Sequence, residues 1–289
     1  MSKHIVVGFD GTESSRNAVL WAAAEANVGN AALRIVSCYE LPIAGEASIG
    51  WSATAVSSVL LEDAERRVVD IRTEVSTAFP DLEVTADVSA GPADVVLVDG
   101  VDIDDLVVVG ASRHEGSSAF WLGTTARYAV RHSAAPVVVV RGAATGIPPT
   151  RVVVGVDGSP DSLEALRWAG DEADRHGVNL VIVHSWNYPY LPVDAGASQA
   201  RDLTKVDAAC VLDQAMEVAR DRFAAGVKGL LVEDSAPSAL LASVHDGDLL
   251  VLGSRGRGAI RARLFGSTVN AVLDEAAVPV VVIPHHDGT

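Results

Sequence analysis

The stretch "VVGFDGTESSRNAVLWAAAEA" at residues 6–26 returns as "VVGVDGSPDSLEALRWAGDEA" at residues 153–173. The two align without a gap at an offset of 147, with Gly8 on Gly155 and Asp10 on Asp157. Each begins as an apolar run, turns at an Asp-Gly pair and continues at helical spacing, through Ala18, Trp21 and Ala24 in the first copy. A continuous apolar run reads as a strand buried on both faces, and the periodic stretch after it as a helix packed on that strand. Similarity at half the chain length marks a duplicated domain, since solenoid repeats are much shorter.

The same comparison extends in both directions. "ALRIVSCY" (32–39) pairs with "NLVIVHSW" (179–186) at the same offset. The segments that end in Gly110 and Gly253 pair at an offset of 143, as do Pro136 and Pro279, so the second copy is shorter in its middle. Between them "LEDAERRVVDIRTEVSTAF" places Leu61, Ala64, Val68, Val75 and Phe79 on one helical stripe. "LEVTADVS", "DDLVVVG" and "APVVVVR" supply three further strands. Five strands alternate with four helices in each half, which predicts a parallel sheet covered on both faces and joined by right-handed crossovers. The fold class is therefore α/β, as two tandem doubly wound, Rossmann-like domains of strand order 3-2-1-4-5. They span residues 1–143 and 150–289, divided at the turn-rich "RGAATGIPPT" by Pro148 and Pro149. The apolar last strands, "APVVVVRG" and "VPVVVIPH", would leave exposed edges in isolated domains and are expected to be covered.

Composition narrows the function. The chain of 289 residues is 49% hydrophobic and 21% charged, as in a globular protein, and its formal net charge is −16. So acidic a surface repels phosphate backbones and anionic lipids, which argues against nucleic-acid and membrane partners. No apolar stretch approaches the ~20 residues of a membrane helix, and the N-terminus shows no signal segment. The two cysteines, Cys38 and Cys210, lack metal-ligand spacing and read as small buried residues in a reducing cytoplasm. Trp21 and Trp168 read as twin core residues, and His285 and His286 as a solvated tail.

Against that acidic background, "GSRGRGAIRARLFGST" (253–268) stands out. Three glycines, Gly253, Gly256 and Gly258, permit positive φ and let backbone N–H groups approach an anion. Arg255, Arg257, Arg261 and Arg263 add positive charge. Gly266, Ser267 and Thr268 begin the next helix, whose first N–H groups and dipole favour a phosphate. The other unusual loop follows the first strand, as Asp10-Gly11-Thr12 and again as Asp157-Gly158-Ser159. In strand order 3-2-1-4-5 both loops face the crevice at which the winding reverses, the ligand position of open α/β sheets.

The spacing Gly253-x2-Gly256-x9-Gly266-Ser267 resembles the ATP-binding signature of the universal stress proteins. The Asp-Gly-Ser loop and the closing "APVVVV" and "VPVVVI" strands resemble that family too, in two copies over nearly the whole chain. The resemblance implies a nucleotide-binding stress-response regulator that is not a dedicated enzyme and that commonly dimerises. The expected ligand is ATP, with Mg²⁺. The expected assembly is a homodimer or a pseudo-symmetric tandem arrangement. It places Asp157 beside the adenosine, with Gly155 before it, and brings His184 and Ser185 to the adenine through backbone. In the first copy the matching positions are Gly8, Asp10, Gly11, Thr12 and Cys38, then Gly110, Ser112, Arg113, Gly123, Thr124 and Thr125.

The first copy departs from the signature. Gly110-x2-Arg113-x9-Gly123-Thr124 puts Arg113 where the middle glycine belongs, and Glu115 stands at the position of Gly258. The first site is expected to bind more weakly than the second. Other motifs fail: there is no G-x4-G-K-[ST], and Ser112 lacks the glycine and triad of a nucleophile elbow. Two alternatives stay open. One is an ATP pyrophosphatase of related fold, whose first loop would read S-G-G-x-D-S. The other is an interaction module that binds AMP, a cyclic nucleotide or no nucleotide.

Overall fold

The structure, a computed structural model, describes residues 4–40, 53–113, 120–142, 148–187, 197–256 and 266–285. The chain forms two compact units, Met1–Pro148 and Pro149–Thr289.

The first unit runs β1 (His4–Gly8), α1 (Glu13–Gly29), β2 (Ala32–Tyr39), α2 (Ala53–Ala78), β3 (Val84–Ala90), α3 (Ala93–Val98), β4 (Leu106–Arg113), β5 (Phe120–Trp121), α4 (Thr124–His132) and β6 (Val137–Arg141). Five strands are parallel in the order β3-β2-β1-β4-β6. The two-residue β5 is an addition that the sequence pattern does not show. It runs antiparallel to the end of β4, with Arg113 opposite Phe120.

The second unit runs β7 (Arg151–Gly155), α5 (Pro160–His176), β8 (Asn179–Trp186), α6 (Ala197–Arg222), β9 (Val227–Glu233), α7 (Ala236–Ser243), β10 (Leu249–Gly253), α8 (Ser267–Glu275) and β11 (Val280–Ile283). Its parallel order is β9-β8-β7-β10-β11. Counting long strands only, each unit has the order 3-2-1-4-5.

Local chemistry explains where these elements start and stop. Thr12 caps α1 by accepting from the Ser15 N–H, and Ser159 caps α5 by accepting from the Ser162 N–H, with Pro160 in the first turn. Both helices end in a left-handed residue, Asn30 (φ 49°) in the first copy and Gly177 (φ 65°) in the second. The central strands are buried through, with Val7, Val107 and Val108 in one unit and Val152, Val153 and Val251 in the other fully covered. The face of α1 on the sheet is largely alanine (Ala18, Ala22 and Ala26 are inaccessible), which lets helix and strand approach closely.

The predicted stripe of α2 holds at Ala64, Val68 and Val75, while Leu61 and Phe79 are half-buried. Trp21 is buried as expected, but its twin Trp168 is only half-buried. The cysteines also differ from expectation: Cys38 is half-buried and Cys210 exposed. Cys38 is the last residue but one of β2, and Cys210 lies on the exposed face of α6.

Candidate functional site

Strands β1 and β4 are neighbours, and so are β7 and β10. Their carboxyl ends therefore bring the two unusual loops of each copy to one place. In the first unit they enclose a cleft of about 290 Å³, close to the lower end of ordinary ligand pockets at roughly 300 Å³. Gly8, Asp10, Thr12, Cys38, Gly110, Gly123, Thr124 and Thr125 all line it. So do Ser14, Ser15, Ala93 and Leu97, which the motifs do not single out. The two alanine and leucine positions come from α3, whose apolar sequence carries no chemical signal. Ser14 and Ser15 are signalled only by their place in the first turn after Asp10.

Asp10 is held on one oxygen. Its Oδ1 accepts from the Thr12 N–H at 2.9 Å, the Thr12 hydroxyl at 2.6 Å and the Ser15 hydroxyl at 2.6 Å. Burial by itself would raise its pKa, but these hydroxyl and backbone donors more than offset it and hold the carboxyl below its ordinary value. Asp10 is thus a carboxylate at neutral pH. Burial and the nearby charge of Glu40 push the Cys38 thiol up, so it stays protonated.

Gly11 does not line the cleft. It has φ 85°, and a side chain there would begin 2.8 Å from Arg67 Cδ. Arg67, on α2, donates from Nη1 to the Asp10 carbonyl at 3.1 Å and pairs with Asp63. The loop is therefore braced from outside by a residue that no motif contains. Gly158 repeats the positive φ at 78°.

In the second copy the Asp157 Oδ1 accepts from the Ser159 N–H at 2.9 Å, and the Asp157 N–H donates to the Ser162 hydroxyl at 3.3 Å. The side chain of His184 is turned to the protein: its Nδ1 lies 2.7 Å from the Val156 carbonyl, so that nitrogen carries the hydrogen. The first-copy twin of His184 is Ser37, whereas Val36 and Cys38 on either side of Ser37 line the cleft. By strand alternation Ser185, and not the imidazole, occupies the position equivalent to Cys38.

The signature glycines divide into two kinds. Gly253 and Gly256 are not among the positive-φ residues, which corrects the expectation that they serve by backbone freedom. They serve by lacking a side chain. A Cβ on Gly253 would lie 2.7 Å from the Asp161 carbonyl oxygen, and one on Gly256 would lie 2.6 Å from Asp157 Oδ2. Gly110 repeats the first contact, 2.6 Å from the Ser14 carbonyl oxygen. By contrast, Gly123 and Gly266 face open space. They are the N-caps of α4 and α8 and make no side-chain capping bond. The cap thus falls on Gly266 and not on Ser267, and the first N–H groups of α8 keep the orientation that binds anions.

Arg113 ends β4, whereas β10 stops at Gly253, three residues before the matching position at Gly256. Arg255 is half-buried beside the loop. Arg257, Gly258, Arg261 and Arg263 lie outside the described residues, as do His114, Glu115 and His286; the side chains of Ser112 and Arg113 are likewise not described. His285 is part-buried and engaged, against the expectation of a solvated tail: its Nδ1 lies 2.6 Å from Asp161 Oδ1. Among the described residues no helix is long and apolar enough to cross a membrane.

Fold and cleft together define a duplicated doubly wound α/β protein whose first unit has a cleft at the strand 1/strand 4 switch point, the place where open α/β sheets bind ligands. The model of the universal stress protein family matches residues 1–141 and again residues 149–284. One universal stress protein of Mycobacterium tuberculosis is 31% identical over 288 residues, with 96% of each chain covered. Another from the same organism is 30% identical over 304 residues, covering 96% of this chain and 94% of its own. A universal stress protein of Archaeoglobus fulgidus shares the fold across 99% of both chains, with a TM-score of 0.74 at 18% identity. The chain belongs to the universal stress protein family, in its tandem two-domain form.

Proposed function

We propose that the protein is an ATP-binding regulator of the stress-response type, with adenine nucleotide held at the strand 1/strand 4 crevice of each unit and more tightly in the second. The observation that carries this reading is the cradle of the second copy. Gly253 and Gly256 sit where a Cβ would strike Asp161 and Asp157, and the chain that follows them leads to the N-terminus of α8, which has no side-chain capping bond. Two backbone positions without side chains and a helix start whose cap offers no competing side chain fit a polyphosphate. Ser267 and Thr268 add hydroxyl donors, and Mg²⁺ would enter on the phosphates, as that ion commonly does.

The first copy keeps the cleft but not the cradle. Arg113 is drawn into a two-residue ladder with β5, which supports weaker binding there. Binding without rapid turnover is favoured by the state of the ionisable groups in the cleft. Asp10, with its carboxyl held below the ordinary value, is a poor general base, and Cys38 is held as a thiol. A homodimer or a pseudo-symmetric tandem assembly in the cytoplasm completes the proposal.

Acid release from gently purified protein, followed by identification of the nucleotide, tests the ligand. ATP or ADP in at least half-stoichiometric amount supports the reading. A protein that carries and binds no adenine nucleotide, in calorimetry with ATP and Mg²⁺, overturns it in favour of the interaction-module alternative.

A further inference from the structure

His285 follows β11 and lies one residue beyond the segment that the family model matches. It meets Asp161 in the first turn of α5, with Nδ1 to Oδ1 at 2.6 Å, and the two side chains are 26% and 9% exposed. Asp161 Oδ2 is also buried and has no hydrogen-bond partner among the described residues. The imidazole is therefore what makes burial of this carboxylate tolerable.

The pair closes a ring around the root of the glycine loop. Gly253 passes against the Asp161 backbone, and the next residue, Ser254, donates its N–H to the Ile283 carbonyl at 2.9 Å, just before His285. Ser254 in turn accepts from the Gly266 N–H at 3.4 Å, which ties the far end of the loop to the near one. On the other side of Asp161, the Ser162 hydroxyl meets the Asp157 N–H. One clasp thus links β11, the start of α5, both ends of the phosphate loop and the Asp157 turn.

The first copy makes the same junction differently. Its matching residues are Ser14 and Gly142. The end of β6 is tied there by Asn17, whose Nδ2 donates to the Gly142 carbonyl at 2.9 Å. The carboxylate–imidazole clasp is a property of the second copy alone.

We infer that Asp161 and His285 are a positioning pair that holds the start of the glycine loop of the second unit, Gly253 to Gly256, in place for nucleotide binding. The inference rests on the nucleotide reading above, and it makes the tighter site depend on a residue past the last strand. Neither side chain needs to touch the ligand. The pair fixes where Gly253 and Ser254 leave the sheet, and hence where the amides of Ser254 to Gly256 point.

The test uses the full chain in three variants. His285→Ala removes the clasp. His285→Asn replaces the Nδ1–H by an amide N–H in nearly the same place. The double variant Asp161→Ser with His285→Gly installs the first copy's residues and leaves no buried carboxylate behind. ATP affinity of the second site is read by calorimetry with Gly123→Val as background, which obstructs the first site. Backbone hydrogen exchange over Ser254–Gly256 is read without nucleotide. His285→Ala and the double variant are expected to weaken ATP binding about ten-fold, as for one charge-assisted hydrogen bond, and to speed exchange. His285→Asn should restore both to within about three-fold. Wild-type affinity in both clasp-less variants overturns the inference while leaving nucleotide binding intact. A wild-type chain that binds no ATP overturns the nucleotide reading; exchange then decides the clasp, and unchanged exchange in both variants sinks it.

Discussion

Asp157 Oδ2 lies 2.6 Å from the point where a side chain on Gly256 would begin. The acidic residue of the first loop and the middle glycine of the second thus occupy one another's van der Waals boundary, although 99 positions separate them in sequence. Any side chain at 256 displaces either the carboxylate or the loop. Arg113 stands at the matching position of the first copy, and there the chain continues as strand.

Gly256→Val is expected to abolish the tighter phase of ATP binding and leave the weaker one. Losing one or two charge-assisted hydrogen bonds at ~1.5–3 kcal/mol each corresponds to about ten- to a thousand-fold in affinity. Calorimetry on this variant and on Gly123→Val ranks the sites. Loss of the tighter phase in Gly123→Val instead would reverse the ranking.

The two kinds of signature glycine predict two kinds of defect. Gly110→Ala and Gly253→Ala force a methyl group onto a backbone carbonyl and should cost about 1–3 kcal/mol of stability, a fall in Tm of roughly 3–10 °C. Gly123→Ala and Gly266→Ala meet open space, so their Tm should stay within about 2 °C of wild type while ATP binding weakens. Thermal melts with and without ATP separate the two classes.

At the opposite end of the central strands of the second unit, just before β10, burial would raise the pKa of Asp248. The Arg151 guanidinium, the His245 N–H and the Thr150 hydroxyl outweigh it and hold the carboxyl below its ordinary value. Arg151 Nε lies 3.0 Å from Asp248 Oδ1, and the Asp248 side chain is fully covered. A carboxyl with a depressed folded pKa contributes stability above its unfolded value of about 3.9 and loses that contribution as pH falls through the folded value. Asp248→Asn should therefore lower the Tm at pH 7 and flatten its decline below about pH 4. Parallel Tm profiles for variant and wild type below pH 4 would contradict this.

Asp10 is governed by the same sign. With its carboxyl held below the ordinary range, it stays ionised throughout pH 5–8 and contributes no titration to ATP binding at the first site in that window. Removal of its charge in Asp10→Asn should change first-site affinity by a constant factor across that range. A pH-dependent ratio between variant and wild type would show that Asp10 titrates there.

Turnover is expected below ~1 s⁻¹, under the usual enzyme range. Phosphate release from ATP at or above that rate, co-purifying with the protein and absent from Gly256→Val, would place the chain among the enzymes.

Much of this was legible in one dimension. Apolar runs such as "VVVG" and "LLVLG" are strands because a parallel sheet covered on both faces has no polar side, and that property is written residue by residue. The duplication supplied an internal control: Asp10 and Asp157, or Gly110 and Gly253, identify each other. Crossover handedness left few topologies, and the order 3-2-1-4-5 among them is the one that brings the two loops to one crevice. Caps were equally local, since Thr12 and Ser159 act on amides three residues away.

Tertiary structure decided everything that depends on who sits beside whom across the fold. Arg67 is one cation on a helix face until α2 lays it over Gly11. His285 is one histidine of a polar tail until β11 delivers it to Asp161. Gly253 and Gly256 carry the same letter as Gly266, yet two of them are pressed against α5 and the Asp157 turn while the third faces open space. Sequence patterns record how a residue relates to its own strand or helix, because burial and periodicity are averaged along the chain. A hydrogen bond or a steric contact between distant segments acts over about 3 Å and leaves no period behind. The architecture and the place of the site could therefore be read from the letters, while the roles of individual residues within it were set by packing.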